Sequence, residues 1–216
     1  MDRLYADHGD AALLAEAEAL REECIRSGNY RTAEFVAGQI VYHRPQQLRD
    51  RHRYAEILLA RGDRERAEKD LRELLAERPS DCAAYGLLAD VLRSGGRVPE
   101  AMEVHGAHLK EHPGDAGALY ARASMALWDL RDPSAARAEA LRMEKAGSGP
   151  GVPGSTRRWL ADNASWIAKE ADRLERDRAA LLAAGDRVDR MLWGGLIAAA
   201  AALAGAFRFT RRKGAS

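Results

Sequence analysis

The densest group of side chains able to do chemistry is His105, His108 and His112. On a helix, spacings of three and four place all three along one face, as a metal site built from imidazoles requires. No cysteine neighbours them in the sequence, so a further ligand has to come from Glu103 or Glu111. The two cysteines, Cys24 and Cys82, form neither a CxxC motif nor a Cys/His pair at zinc spacing. The expectation is therefore structural histidines and reduced thiols, with no metal and no cofactor. Gly147 to Gly154 is followed by no GK[ST] and preceded by no strand, which removes a phosphate loop. Ser/His/Asp and paired-carboxylate arrangements cannot be assembled without arbitrary choices. The expected function is recognition rather than catalysis, and an enzyme, metal-dependent or otherwise, trails far behind.

The elements that hold these residues repeat. Pro45, Pro79 and Pro113 lie 34 residues apart, as do Ala33, Ala67 and Ala101, and as do the turns at Gly28, Gly62 and Gly96. Each unit reads as helix, glycine turn, helix, proline stop. The alanine allows two helix axes to approach closely. The glycine ends the first helix in a left-handed conformation, and the proline stops the second. Tyr54, Leu58, Leu71 and Leu74 fill the core of the second unit, and Tyr85, Leu88, Leu92, Val104 and Leu109 that of the third.

This spacing resembles the tetratricopeptide repeat (TPR), with units at about 14–47, 48–81, 82–115 and 116–147. The fourth is shifted by one residue and lacks its closing proline: Tyr120, Ala123, Leu127, Ala136 and Ala140 carry the pattern on. The resemblance implies an all-α fold, a right-handed superhelix of antiparallel helix pairs over residues 1–147. It also implies a concave groove, lined by the first helix of each unit, that holds a protein or peptide partner. By position the groove carries Arg49, His52, Arg53 and Glu56, then Asp90 and Arg93, then Arg122 and Trp128. The lysine and asparagine of the carboxylate-clamp subclass are replaced by Glu18 and Glu22 in the first unit, so that clamp is absent. The Arg/His cluster suits an acidic or C-terminal peptide.

Composition fits this reading. The charged fraction is 31% and aromatics are 6%, with 34 basic against 33 acidic residues and a net charge of +1. Such a balance gives no electrostatic reason to bind nucleic acid. The first residues contain no apolar run, so a secretory signal is not expected.

A Gly/Pro linker follows over 148–155, then a long amphipathic helix over 156–185 whose stripe is Leu160, Ala164, Ile167, Ala171, Leu174 and Leu181, widened by Trp159 and Trp166. It is expected to cap the open end of the solenoid, with a self-associating coiled coil and hence a homo-oligomer as the alternative. Residues 191–207 carry no charge. As a helix they span about 26 Å, close to the hydrocarbon thickness of a bilayer. A transmembrane anchor over 191–209 and a basic tail over 210–216 are expected, with the repeats in the cytosol. The arrangement is similar to the mitochondrial fission adaptor family, which would imply a tail-anchored adaptor on a mitochondrial outer membrane. The same anchor suits a peroxisome in a eukaryote or the plasma membrane in a bacterium. The alternative role is a structural subunit of a multiprotein membrane complex.

Overall fold

The computed structural model describes the backbone of residues 2–213 and the side chains of residues 11–187. Among the described residues no strand forms. The helices are α1 (Asp2–Arg26), α2 (Tyr30–His43), α3 (Leu48–Arg61), α4 (Arg64–Glu77), α5 (Cys82–Ser94), α6 (Val98–Glu111), α7 (Ala116–Ser124), α8 (Pro133–Gly147) and α9 (Gly154–Lys213). They pack as successive pairs, α1 on α2 through α7 on α8, and the pairs stack through α2–α3, α4–α5 and α6–α7. The first helix begins a dozen residues before the position at which the repeat spacing starts.

Local chemistry sets the helix boundaries. Asn29, Asp63, Asp81, Asp115 and Asp132 each accept a backbone N–H of the helix that follows, a cap worth about 1 kcal/mol. Gly28, Gly62 and Gly96 adopt φ of 74°, 90° and 77° where the first helix of a unit ends. That left-handed region costs other residues energy but is open to glycine.

The fourth unit departs from this pattern, and its turn explains the shift by one residue. Ala123 follows Ala89 by 34 residues, whereas Ala136 follows Ala101 by 35. Between them Met125–Asp129 forms a π turn. Leu130 N–H reaches Met125 O at 3.0 Å and Asp132 N–H reaches Ala126 O at 2.9 Å. The wider turn absorbs the extra residue without breaking the helix pair. Its left-handed position is then occupied by Arg131, with φ of 51°.

The alanines are where the helices meet. Ala33, Ala67, Ala101 and Ala136 are fully buried, as are Ala89 and Ala123. One core runs through α3 to α6 around Leu58, Leu71, Leu74, Leu88 and Leu92. A second joins α7, α8 and α9 around Leu127, Met143, Leu160 and Ile167.

The expected linker is a tight turn between α8 and α9, and Arg157 Nε donates to Gly147 O at 3.1 Å across it. Beyond it α9 covers α8 and part of α7. Leu160, Ala164, Ile167 and Ala171 are fully buried, and Leu174 is half-buried. The covered stretch ends there: every residue from 175 to 187 is exposed, including the expected stripe residue Leu181 at 74%. The reason is length. The 15 residues of α8 span about 22 Å, which matches about 15 residues of α9, the length of the stretch from Leu160 to Leu174, and no later helix among the described residues extends the surface. Arg137 of α8 pairs with Asp172 and Glu175 at the last covered point.

The backbone of α9 continues as helix to Lys213. The anchor expected over 191–209 and the basic tail lie outside the residues whose side chains are described. Among the described residues no helix is long and apolar enough to cross a membrane.

Arg131 offers a direct check on the π turn. Replacing it by glycine relieves a left-handed conformation worth roughly 1 kcal/mol to a residue with a side chain. Arg131→Gly is therefore expected to raise the denaturant midpoint with an unchanged slope.

Candidate functional site

Helix pairing brings α1 and α3 side by side, and a cleft of about 440 Å³ opens between them. Four of the residues expected in the groove, Arg49, His52, Arg53 and Glu56, line it together with Arg21, Glu22 and Leu48. These four share α3, whose turns carry them along one face.

The cleft is already paired internally. Arg53 grips Glu22 with two bonds, Nε to Oε1 at 3.1 Å and Nη2 to Oε2 at 2.5 Å, and reaches Glu56 Oε2 from Nη1 at 2.7 Å. Its hydrogen bonds hold the Glu22 carboxyl below the ordinary carboxylate range, and Arg44 does the same to Glu18. Asp50 is buried, with Arg44 Nη2 at 3.0 Å and the buried Arg21 at 3.5 Å. His52 Nε2 lies 2.7 Å from Asp81 Oδ2 and so ties α3 to the cap of α5. Arg21, Arg44, Arg49 and Arg53 thus stand against Glu18, Glu22, Asp50 and Glu56. The cleft is an alternating lattice of charge rather than a bare basic surface, which changes the kind of ligand expected for it. An acidic segment would have to displace carboxylates that are already bound.

The remaining groove candidates fall elsewhere. Asp90 and Arg93 are exposed on α5. Arg93 makes a two-point contact with Asp129 in the π turn, Nε to Oδ2 at 2.7 Å and Nη2 to Oδ1 at 3.3 Å. Trp128 is half exposed and faces Trp166 of α9 with ring centroids 6.0 Å apart. Tyr120 and Trp159 form an edge contact, with ring centroids 5.5 Å apart, so the cap adds aromatic contacts at this end of the solenoid. Arg122 turns inward. It grips buried Glu139 from Nε at 3.2 Å and from Nη2 at 2.6 Å, and donates to Met102 O. It has room there because residue 106 is glycine: a Cβ at that position would lie 2.9 Å from Arg122 Nη1. These bonds join α7 to α8 and α6.

The histidines separate as well. His105 is buried, its Nδ1 has no partner among the described residues, and burial pushes its pKa down to about 4. His108 is buried and places Nε2 2.8 Å from Asp115 Oδ2. Burial acts to raise the Asp115 carboxyl, but bonds from Ala118 N–H and His108 outweigh it and hold the group low. His112 is exposed, with its ring 5.0 Å from that of His108. Cys82 stands beside these two rings, contrary to the expectation that no cysteine neighbours them. The sequence signal lay in the repeat itself: paired antiparallel helices bring the first residue of α5 to the last turns of α6.

His105 makes folding depend on pH. Its folded pKa, about 4, lies below the ordinary 6.5, so the unfolded chain binds the extra proton between those values. Stability from this residue is complete above pH 6.5 and is lost as pH falls towards 4, by up to about 3 kcal/mol. Urea unfolding at several pH values is expected to show that loss in the native chain and a smaller one in His105→Leu.

With the geometry established, the chain can be set beside known proteins. Residues 58–125 match a family model described as tetratricopeptide repeat. Compared with curated proteins, the sequence finds no match. Among solved structures, a tetratricopeptide repeat protein from Parabacteroides merdae ATCC 43184 superposes with a TM-score of 0.53 at 14% identity, over 78% of this chain and 66% of that one. MamA 41-end from Desulfovibrio magneticus RS-1 superposes with a TM-score of 0.50 at 18% identity, over 76% of this chain and 96% of that one. The matched segment is similar to the tetratricopeptide repeat, and the likeness of fold to these solved structures spans most of the chain.

Proposed function

We propose that the chain is a scaffold that binds a protein partner in the cleft between α1 and α3, and that its C-terminal segment holds the partner beside a membrane. The observation that carries the first half is the charge lattice around Arg49, Arg53, Glu22 and Glu56. It forms a cleft of about 440 Å³ lined by six polar residues and Leu48 on two helices. Side chains held by the bidentate Arg53–Glu22 pair lose little freedom when a ligand arrives, which favours specific docking. Because cations and carboxylates alternate, the segment that fits best carries both signs and exchanges into the existing pairs. A tetratricopeptide-type solenoid is suited to such a role in binding proteins.

The second half rests on sequence. The uncharged run over 191–207 and the basic residues Arg208, Arg211, Arg212 and Lys213 after it suit a tail anchor that leaves the repeats in the cytosol. On that reading the scaffold recruits its partner to a mitochondrial or peroxisomal surface in a eukaryote, for organelle division or assembly, or to the plasma membrane in a bacterium. The alternative is a structural subunit of a multiprotein membrane complex. It draws on the exposed part of α9, where Leu181 and Leu182 are uncovered by the described residues and could pair with another helix.

Cross-linking capture with the full-length chain tests the cleft. Arg49→Glu and Glu56→Arg are both exposed changes, and each is expected to lower partner recovery at least about tenfold, ~1.4 kcal/mol, with the melting temperature unchanged. A gain of binding in Glu56→Arg would point to a purely acidic ligand instead, and no effect of either would remove the cleft from the account. Alkaline carbonate extraction tests the anchor: the chain is expected to stay with the membrane, and its release would refute insertion.

A further inference from the structure

Antiparallel packing of α5 and α6 juxtaposes three side chains that sequence order keeps 26 and 30 residues apart: Cys82 opens α5, while His108 and His112 sit one turn apart near the end of α6. The Cys82 thiol and one ring nitrogen from each histidine all lie within 4.8 Å of one another. We propose that Cys82, His108 and His112 bind a zinc-like divalent cation, with Asp115 as the carboxylate behind His108. This proposal is independent of how the α1–α3 cleft is used.

The strongest pointer is an orphaned atom. His108 is 2% exposed, yet its Nδ1 has no hydrogen-bond partner among the described residues. Buried polar atoms are nearly always satisfied, so one that is not calls for an explanation. The other nitrogen, Nε2, lies 2.8 Å from Asp115 Oδ2. In the neutral ring Nε2 carries the hydrogen and donates it to the carboxylate, which leaves the Nδ1 lone pair free. That is the tautomer a metal-binding imidazole needs, and a carboxylate behind the ring is its usual support. Asp115 is itself fixed in place, since its Oδ1 accepts Ala118 N–H at 3.0 Å and caps α7.

The other two donors can adjust. Cys82 and His112 are exposed, and the thiol's present contact is a long one, 3.7 Å to Ser80 O. Around a tetrahedral zinc with bonds of 2.0–2.3 Å the donors sit about 3.3–3.8 Å apart. Closing from 4.8 Å to that range takes side-chain rotations of about 1 Å. One sulfur and two imidazoles select zinc, or cobalt as its spectroscopic stand-in, over magnesium or calcium. On binding, the Cys82 thiol gives its proton to solvent and the sulfur becomes the anionic ligand. The fourth position faces water. The bound ion would pin the start of α5 to the end of α6, beside the cap of α7, and so clamp the junction of the third and fourth repeats.

Titration of the full-length, metal-free chain with cobalt(II) tests this. One equivalent is expected to produce a thiolate-to-cobalt charge-transfer band with the intense d–d absorption of tetrahedral cobalt, and zinc is expected to abolish both. Cys82→Ser should remove the charge-transfer band, whereas Cys24→Ser, which alters the other cysteine, should leave it intact. His112→Ala alters an exposed residue and should weaken cobalt binding. Asp115→Asn retains a side chain that caps helices well, so the fold should persist while affinity falls about 10–100-fold. No charge-transfer band, or a band that survives Cys82→Ser, would overturn the proposal.

Discussion

Everything in this molecule depends on how closely two helices can approach at an alanine. Ala33, Ala67, Ala101 and Ala136 have no exposed surface, so each second helix lies against its partner with only a methyl group between the axes. That approach fixes the angle of each pair, and the pairs then stack because Leu58, Leu71, Leu74, Leu88 and Leu92 have nowhere else to go. No pair could bury its apolar face alone; burial is shared between neighbours, as in other repeat proteins.

The stack converts sequence spacing into surface. Arg49, His52, Arg53 and Glu56 meet Arg21 and Glu22 only because α3 lies beside α1. The resulting cleft is electrostatically self-satisfied, and this decides its character. Neutralised charge is costly to displace with a ligand of one sign and cheaper to exchange with a ligand that offers both. The same geometry places Cys82 against His108 and His112 within the third unit. One architectural rule therefore yields two chemically different clusters of side chains.

Much of the architecture was legible in the sequence because a strict period leaves few alternatives. The alanines, the left-handed glycines and the order of helices follow from it directly. The fourth unit shows the limit of that reasoning: its one-residue shift was visible, but not that a π turn over Met125–Asp129 would absorb it and leave Arg131 left-handed. The capping helix was read as running to 185, yet its contacts fade after Leu174 because burial depends on the length of α8, which the pattern in α9 cannot report. The site was less legible. Position within a repeat places a residue on a helix face but does not reveal its partner. Arg122 was assigned to the groove with no partner foreseen, and it pairs with buried Glu139, in space left by Gly106. Cys82 was set aside because it is remote in the chain from the histidines it adjoins.

The alanine contact is open to a direct measurement. Ala101 on α6 is buried and Ala107, on the same helix, is exposed, so leucine at each position changes the chain by the same atoms in opposite environments. Equilibrium unfolding in urea should show Ala101→Leu less stable by about 1–3 kcal/mol, the cost of overpacking a close helix contact, with Ala107→Leu within about 0.5 kcal/mol of the native chain. Equal stability of the two variants would mean that close approach at the alanines does not hold the stack together.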